Sequence, residues 1–141
     1  MSFAEELSKL LPEDLPNRDL CVEKATAHLE MIVAINEVMN LTRIVSPREA
    51  AIKHVVDSVL PWRLFAGARH VADAGTGPGF PGIPLAIVLP GGKFTLMDAT
   101  QKKARFVESV VEKLGLDNAR VEPVRAEEWL YKNKPDIVTA R

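Results

Sequence analysis

From Arg69 onward the chain alternates between two textures. The short apolar runs HVADAG, KFTLMDA, ARVEPV and DIVTA are separated by the helical patterns GIPLAIVL, TQKKARFVESVVEKLG and AEEWLYKN. Strands alternating with helices predict β-α-β-α-β-α-β, an α/β fold whose parallel sheet has helices on its faces. This constrains the site as well as the fold, because ligands of such sheets lie beyond the carboxyl ends of the strands, where strand order reverses. Gly115 is a natural stop for the helix ending KLG. Residues 1–66 read differently: Ala25, Leu29, Ile32, Val33 and Met39 recur at helical spacing after Asp19. A second helix is predicted from SPREAA, with Ser46 capping, Pro47 in the first turn and Glu49 closing a capping box, running to about Leu60 before Pro61. The expected organisation is an N-terminal helical segment over 1–66, packed on a ligand-binding α/β half-domain over 67–141.

Composition narrows the classes of function. With 141 residues, 47% of them hydrophobic, the chain can bury the core of one ordinary domain. Its net charge of −1 creates no bulk field for nucleic acid, so any such contact must rest on a local basic patch. Cys21 is the only cysteine, which excludes an internal disulfide and a cysteine-only metal site and fits a reducing, cytoplasmic setting. The N-terminal MSFAEELSKLLPEDLPNRDL is acidic and broken by Pro12 and Pro16, unlike a secretory signal. No apolar run is long enough to span a bilayer, so the expectation is a soluble protein without membrane partners. His28 and His70 have no partner at metal-ligand spacing, and no metal is expected.

The stretch VADAGTGPGFPGIP follows the first predicted strand and contains Gly75, Gly77, Gly79 and Gly82. Gly77, Gly79 and Gly82 satisfy G-x-G-x-x-G, and Asp98 lies at a suitable distance for a ribose hydroxyl, as in dinucleotide-binding folds. Asp73, however, stands at the mouth of the turn, where a pyrophosphate would sit, and no lysine or arginine between Val71 and Pro90 offsets the repulsion. A ligand with a positive centre and no phosphate fits better. S-adenosyl-L-methionine is such a ligand, carrying a sulfonium, an ammonium and a ribose diol. In this reading Asp73 supports the methionine end. Gly75, Thr76, Gly77 and Gly79 allow close backbone approach, Asp98 accepts the ribose hydroxyls, and the backbone of Ala126 and Glu127 meets the adenine. The simpler alternative is that Asp73 caps the following helix and Asp98 merely ends a strand.

The strings DAGTGPGFPGIPL, LMDATQKKARF, RAEEW and DIVTAR, with MNLTRI and KHVVDSVL upstream, resemble the bacterial RsmG (GidB) family over roughly residues 36 to 141. The resemblance implies a class I SAM-dependent methyltransferase fold with a Rossmann-like sheet, and transfer of a methyl group to N7 of a guanine in 16S rRNA. Ala74 stands where that family often has valine, a change expected to be harmless. Class I folds order seven strands 3-2-1-4-5-7-6, and here the pattern stops after the fourth. The chain therefore reads as a fragment of a methyltransferase, with an open edge on strand four suited to self-association. Arg141 matches an arginine that follows the family's fourth strand, facing both cofactor and target base. Guanine N7 has a lone pair and no proton, so no catalytic base is expected and positioning dominates.

Further candidates for substrate or RNA contact are His54, Asp57 and Ser58, which at i, i+3 and i+4 share one helix face. Lys102, Lys103 and Arg105 crowd the first turns of a helix, where the macrodipole disfavours cations, and suit phosphates. Phe80 and Trp129 are candidates for stacking on a base or on adenine, Trp129 being better suited to packing. Two other readings stay open: an NAD- or nucleotide-binding Rossmann module using Gly77, Gly79, Gly82 and Asp98, and a non-catalytic interaction module.

Overall fold

The computed structural model describes residues 1–44 and 46–141. Two helices open the chain: α1 (Phe3–Leu10) and α2 (Arg18–Met39). The capping box lies on α1, where Ser2 Oγ accepts from the Glu5 amide and Glu5 Oε1 accepts from the Ser2 amide, each at 3.2 Å. At SPREAA, Ser46 occupies the cap position and Pro47 the first turn, but the Ser46 side chain makes no cap hydrogen bond. Glu49 does not close a box there; its carboxylate takes Lys53 Nζ at 3.2 Å, one turn along. The helical run that follows comprises α3 (Pro47–Ala50), a π-helical segment (Ala51–Val56) and α4 (Asp57–Val59). After Pro61 comes the short α5 (Trp62–Phe65).

The remainder alternates as the sequence pattern predicts: β1 (His70–Ala74), α6 (Gly82–Val88), β2 (Lys93–Met97), α7 (Gln101–Leu114), β3 (Ala119–Glu122), α8 (Ala126–Lys132) and β4 (Ile137–Ala140). The four strands are parallel in the order β3-β2-β1-β4. The chain steps outward from β1 through β2 to β3, then returns to the other side of β1. Strand order thus reverses at β1, and the crevice above its carboxyl end is the expected ligand site. Register brings Asp73 opposite Leu96 on one side and Thr139 on the other.

Local chemistry explains the boundaries. α7 ends at Gly115, whose φ of 65° is the left-handed conformation that glycine adopts without a Cβ clash. Every residue of α6 is buried, because this helix is wedged between the sheet and α2. From α2, Cys21, Ala25, His28, Leu29 and Ile32 are buried, while Val33 is 42% exposed and lies off that face. One hydrophobic cluster runs from Leu7, Leu29 and Val55 to Ile83, Phe94, Leu96 and Val107, so the helical segment and the sheet share a core. Each fully buried large side chain contributes about 1.5–3 kcal/mol to that packing.

β4 departs from the burial expected of a central strand. Val138 is 49% exposed and α8 buries no residue. Among the described residues β4 pairs only with β1, and its other side is an edge.

Candidate functional site

The end of β1 carries Asp73, which is 1% exposed. Its Oδ2 accepts hydrogen bonds from Thr76 Oγ1 at 2.7 Å and from the Gly82 amide at 2.9 Å. Asp73 therefore does cap the start of α6. Its other oxygen, Oδ1, is equally buried and has no partner among the described residues. Burial pushes the carboxyl up to about 7, against the opposing pull of the Thr76 and Gly82 hydrogen bonds and of the Arg141 charge. Gly82 is required here for a steric reason: a Cβ would stand 2.7 Å from Asp73 Oδ2 and 2.6 Å from Leu96 Cδ2.

The turn above Asp73 is tied down by backbone. The Thr76 amide donates to Met97 O at 2.8 Å, and the Gly79 and Phe80 amides donate to Thr76 O at 3.0 and 3.1 Å. Gly75 and Gly77 have φ values of 67° and 60°, and a Cβ built on either would meet nothing within 4 Å. The turn thus presents bare backbone to open space. Asp98, just beyond β2, closes the arrangement from the other side. Its Oδ2 accepts from the Gly77 amide at 3.1 Å and its Oδ1 from the Thr100 amide at 2.9 Å.

Two open cavities meet at Gly75. The larger, about 430 Å³, is lined by Gly75, Asp98, Ala99, Arg125, Ala126 and Glu127. The smaller, about 250 Å³, is lined by Thr42, His54, Gly77, Pro78, Phe80 and Arg141, together with Gly75. The carboxylate at the end of β2 and the turn after β3 thus share the first cavity. The second lies between the glycine turn and the N-terminal helices.

The second cavity rearranges several expectations. His54 and Ser58 are buried, but Asp57 between them is exposed, so the three do not share one face. The wider π-helical winding at Ala51–Val56 shifts the phase of the helix just before Asp57 and brings His54 and Ser58 inward together. The Phe80 ring stacks with two imidazoles, 4.7 Å from His28 and 4.6 Å from His54, with interplanar angles of 27° and 3°. The ring is 4% exposed, and a base cannot stack on it in this arrangement. Trp129 packs edge-on against His70 at 5.5 Å.

Arg141 reaches back to the helical segment, donating to Ser58 Oγ at 3.2 Å and to the Lys53 carbonyl at 2.7 Å. Ser58 Oγ in turn donates to the His54 carbonyl. Burial, and then the Arg141 charge, hold the His54 imidazole below its ordinary value. Lys102 and Arg105 are exposed and Lys103 half-buried on the first turns of α7, which start just after Asp98 and Ala99. No group of three or more His, Cys, Asp or Glu side chains is placed to hold a metal ion among the described residues. No helix there is long and apolar enough to cross a membrane.

Lining residues to which the sequence reading gave no role include Thr42, Ala99 and Arg125. Thr42 is within MNLTRI, where its hydroxyl sits 3.0 Å from His54 Nε2 and accepts from the Ile44 amide at 3.0 Å. Ala99 and Arg125 immediately neighbour the assigned Asp98 and Ala126, and proximity in sequence is the signal that would have found them.

The parallel β3-β2-β1-β4 sheet, the bare glycine turn after β1 and the carboxylate following β2 define a class I methyltransferase fold. Solved structures agree: an O-methyltransferase from Bacillus cereus in complex with SAH superposes with a TM-score of 0.65 at 25% identity, over 98% of this chain and 59% of that one. The chain belongs to the rRNA small subunit methyltransferase G family, whose model matches residues 21–141. The ribosomal RNA small subunit methyltransferase G of Solibacter usitatus is 63% identical over 141 residues, all of this chain and 67% of that protein. The protein of the same name from Psychromonas ingrahamii is 35% identical over 142 residues, again all of this chain and 68% of its own length. The chain thus spans about two thirds of these relatives and about three fifths of the Bacillus cereus protein.

Proposed function

We propose that this chain carries the cofactor-binding part of an enzyme that transfers a methyl group from S-adenosyl-L-methionine to N7 of a guanine in 16S rRNA. The observation that carries the reading is the pairing of two features. One is a backbone turn open to close approach at Gly75 and Gly77. The other is the buried Asp73 beneath it, with one oxygen unpartnered and its carboxyl raised by burial. A cationic ligand favours the ionised form of such a carboxyl, whereas a pyrophosphate opposes it.

When bound, the donor supplies an electrophilic methyl group on sulfur. The chain's own residues bind and aim. Asp98 and the Ala126–Glu127 backbone hold the adenosine in the larger cavity, and Asp98 keeps two acceptor positions beyond those used by Gly77 and Thr100. The glycine turn would hold the amino-acid end, and Asp73, which is 1% exposed and lines neither cavity, would act from beneath the turn. The smaller cavity, with Thr42, His54 and Arg141, receives the guanine. Guanine N7 carries a lone pair and no proton, so the residues of this cavity would have only to hold and aim it. No proton moves, which agrees with a pocket where the histidines are biased neutral. Catalysis then rests on holding N7 in line with the methyl group. Lys102, Lys103 and Arg105 supply phosphate contacts beside the donor cavity.

Ribosomal RNA as substrate places the protein in the cytoplasm. The side of β4 left unpaired among the described residues would accept a second copy, which light scattering after size-exclusion chromatography would detect as a species heavier than 15.5 kDa.

Two measurements test the reading. Calorimetric titration should show binding of S-adenosylhomocysteine and none of NAD; the reverse result identifies a dinucleotide module. Incubation of deproteinised small-subunit RNA with tritiated donor, followed by borohydride and aniline cleavage, should report N7-methylguanine with the full-length protein. Donor binding with no transfer to RNA in that protein would remove the rRNA assignment.

A further inference from the structure

His28 belongs to α2 and is distant in sequence from every strand end, yet it touches the glycine turn. Its Nε2 lies 2.8 Å from the Pro78 carbonyl, and because that carbonyl can only accept, Nε2 carries the proton and donates. The ring is fully buried, and its other nitrogen, Nδ1, has no partner among the described residues. Fit on this side is close: a Cβ on Gly79 would stand 3.1 Å from both His28 Cε1 and Nε2. The same imidazole stacks on Phe80, as does that of His54. Turn residues Pro78, Gly79 and Phe80 are thus held by α2 and by the π-helical segment.

We propose that His28 is a positioning residue for the donor site: by donating to the Pro78 carbonyl and stacking on Phe80, it holds the Gly75–Gly79 backbone in the conformation that accepts the donor. The inference rests on the donor-binding reading above, but its mechanical part does not. On the far side the turn is anchored by Asp98 through the Gly77 amide at 3.1 Å. The turn between them carries the left-handed Gly77 and Gly79, which besides these anchors are held by the backbone hydrogen bonds around Thr76. His28 restrains the turn at the side where the smaller cavity begins.

Amide hydrogen exchange and S-adenosylhomocysteine titration test the proposal together, on wild type, His28→Leu, His28→Asn and His28→Gln. Leucine has no donor, and asparagine is too short to reach Pro78. Glutamine can place an amide N–H near the position of Nε2. In the first two variants the Gly79 and Phe80 amides should exchange roughly tenfold faster, while Phe94 in β2 and Val107 in α7 keep their protection. Glutamine should restore slow exchange. Where wild type binds S-adenosylhomocysteine, affinity should fall about tenfold in the leucine and asparagine variants and recover with glutamine.

Unchanged turn exchange in both disabling variants overturns the proposal. So does loosening spread equally over the sheet, or failure of both variants to fold, since either result assigns His28 to global stability. A wild type that binds no S-adenosylhomocysteine defeats the functional reading, and the exchange data still decide the mechanical one.

Discussion

Two buried groups on opposite sides of the glycine turn should make the stability of this chain unusually insensitive to pH between about 4 and 7, and single substitutions should expose the balance. Asp73 is raised by burial from 3.8 to about 7, so the folded state binds its proton more tightly than the unfolded chain does. Its contribution is fully present below the unfolded value and is lost as pH rises toward 7, amounting to about 4 kcal/mol at 1.36 kcal/mol per unit. His28 is shifted by burial in the opposite sense, from 6.5 to about 4. The folded state there binds the proton less tightly, so stability is lost as pH falls from 6.5 to 4, by about 3 kcal/mol. His54, also lowered by burial, adds in the direction of His28. Where the windows overlap the slopes oppose each other. Asp73→Asn leaves an amide whose N–H₂ has no evident acceptor, and that cost is independent of pH, so the slope remains interpretable. Urea unfolding monitored by circular dichroism between pH 4 and 7 should show Asp73→Asn losing about 3 kcal/mol on acidification. His28→Gln should instead become more stable, offset in part by His54. Parallel curves for wild type and both variants would refute the opposed shifts.

The donor site supplies the other tests. Asp98→Asn removes the charge while keeping the shape, and should weaken S-adenosylhomocysteine binding by about 1.5–3 kcal/mol, tenfold or more by calorimetry. The same loss against a 2′-deoxyribose analogue that already lacks the hydroxyl would show that Asp98 does not bind the diol. Gly77→Val places a branched side chain at a φ of 60°, in the space the donor would use, and should abolish detectable binding; a full-strength complex in the folded variant contradicts the assignment of the turn. Replacing Lys102, Lys103 and Arg105 by alanine in the full-length protein should reduce the salt dependence of RNA binding by up to about three phosphate contacts and leave donor affinity unchanged. An unaltered slope would make them solvated surface.

The sequence reading reached what is encoded locally. Alternating strand and helix patterns, the stop at Gly115 and the two carboxylates at strand ends are all properties of short windows, and each stands in the structure where its window places it. What it missed depends on contacts between distant segments or on a change of helical winding. His28 carries no local motif; its partner Pro78 is 50 residues away, and only the packing of α2 against α6 brings them together. Asp57 was grouped with His54 and Ser58 because the spacing assumes a regular α-helix, and the π-helical segment breaks that assumption. The capping box was placed on SPREAA by its S-x-x-E string, although the same string in SFAE, at the N-terminus, is the one whose hydrogen bonds close. A four-residue signature shows that a cap is possible; at SPREAA the Ser46 side chain makes no cap hydrogen bond and Glu49 pairs with Lys53 instead.

The long-range contacts converge on one place, and their convergence says how the helical segment contributes to the chemistry. His28 holds the Pro78 carbonyl, His54 stacks on Phe80 and meets Thr42, and the π-helical segment offers the Lys53 carbonyl, and α4 the Ser58 hydroxyl, to Arg141 at the end of β4. The sheet alone supplies Asp73, Asp98 and the open turn, the features on which the proposed donor site rests. Residues before β1 supply the opposite wall of the smaller cavity, where the proposed function has the acceptor aimed. A reaction that needs no general base depends on this wall for its geometry, because misplacing N7 by even about 1 Å costs on the order of a hundredfold in rate. Substitutions in the helical segment should therefore act on transfer more strongly than on donor affinity, except at His28, whose hold on the turn ties it to both.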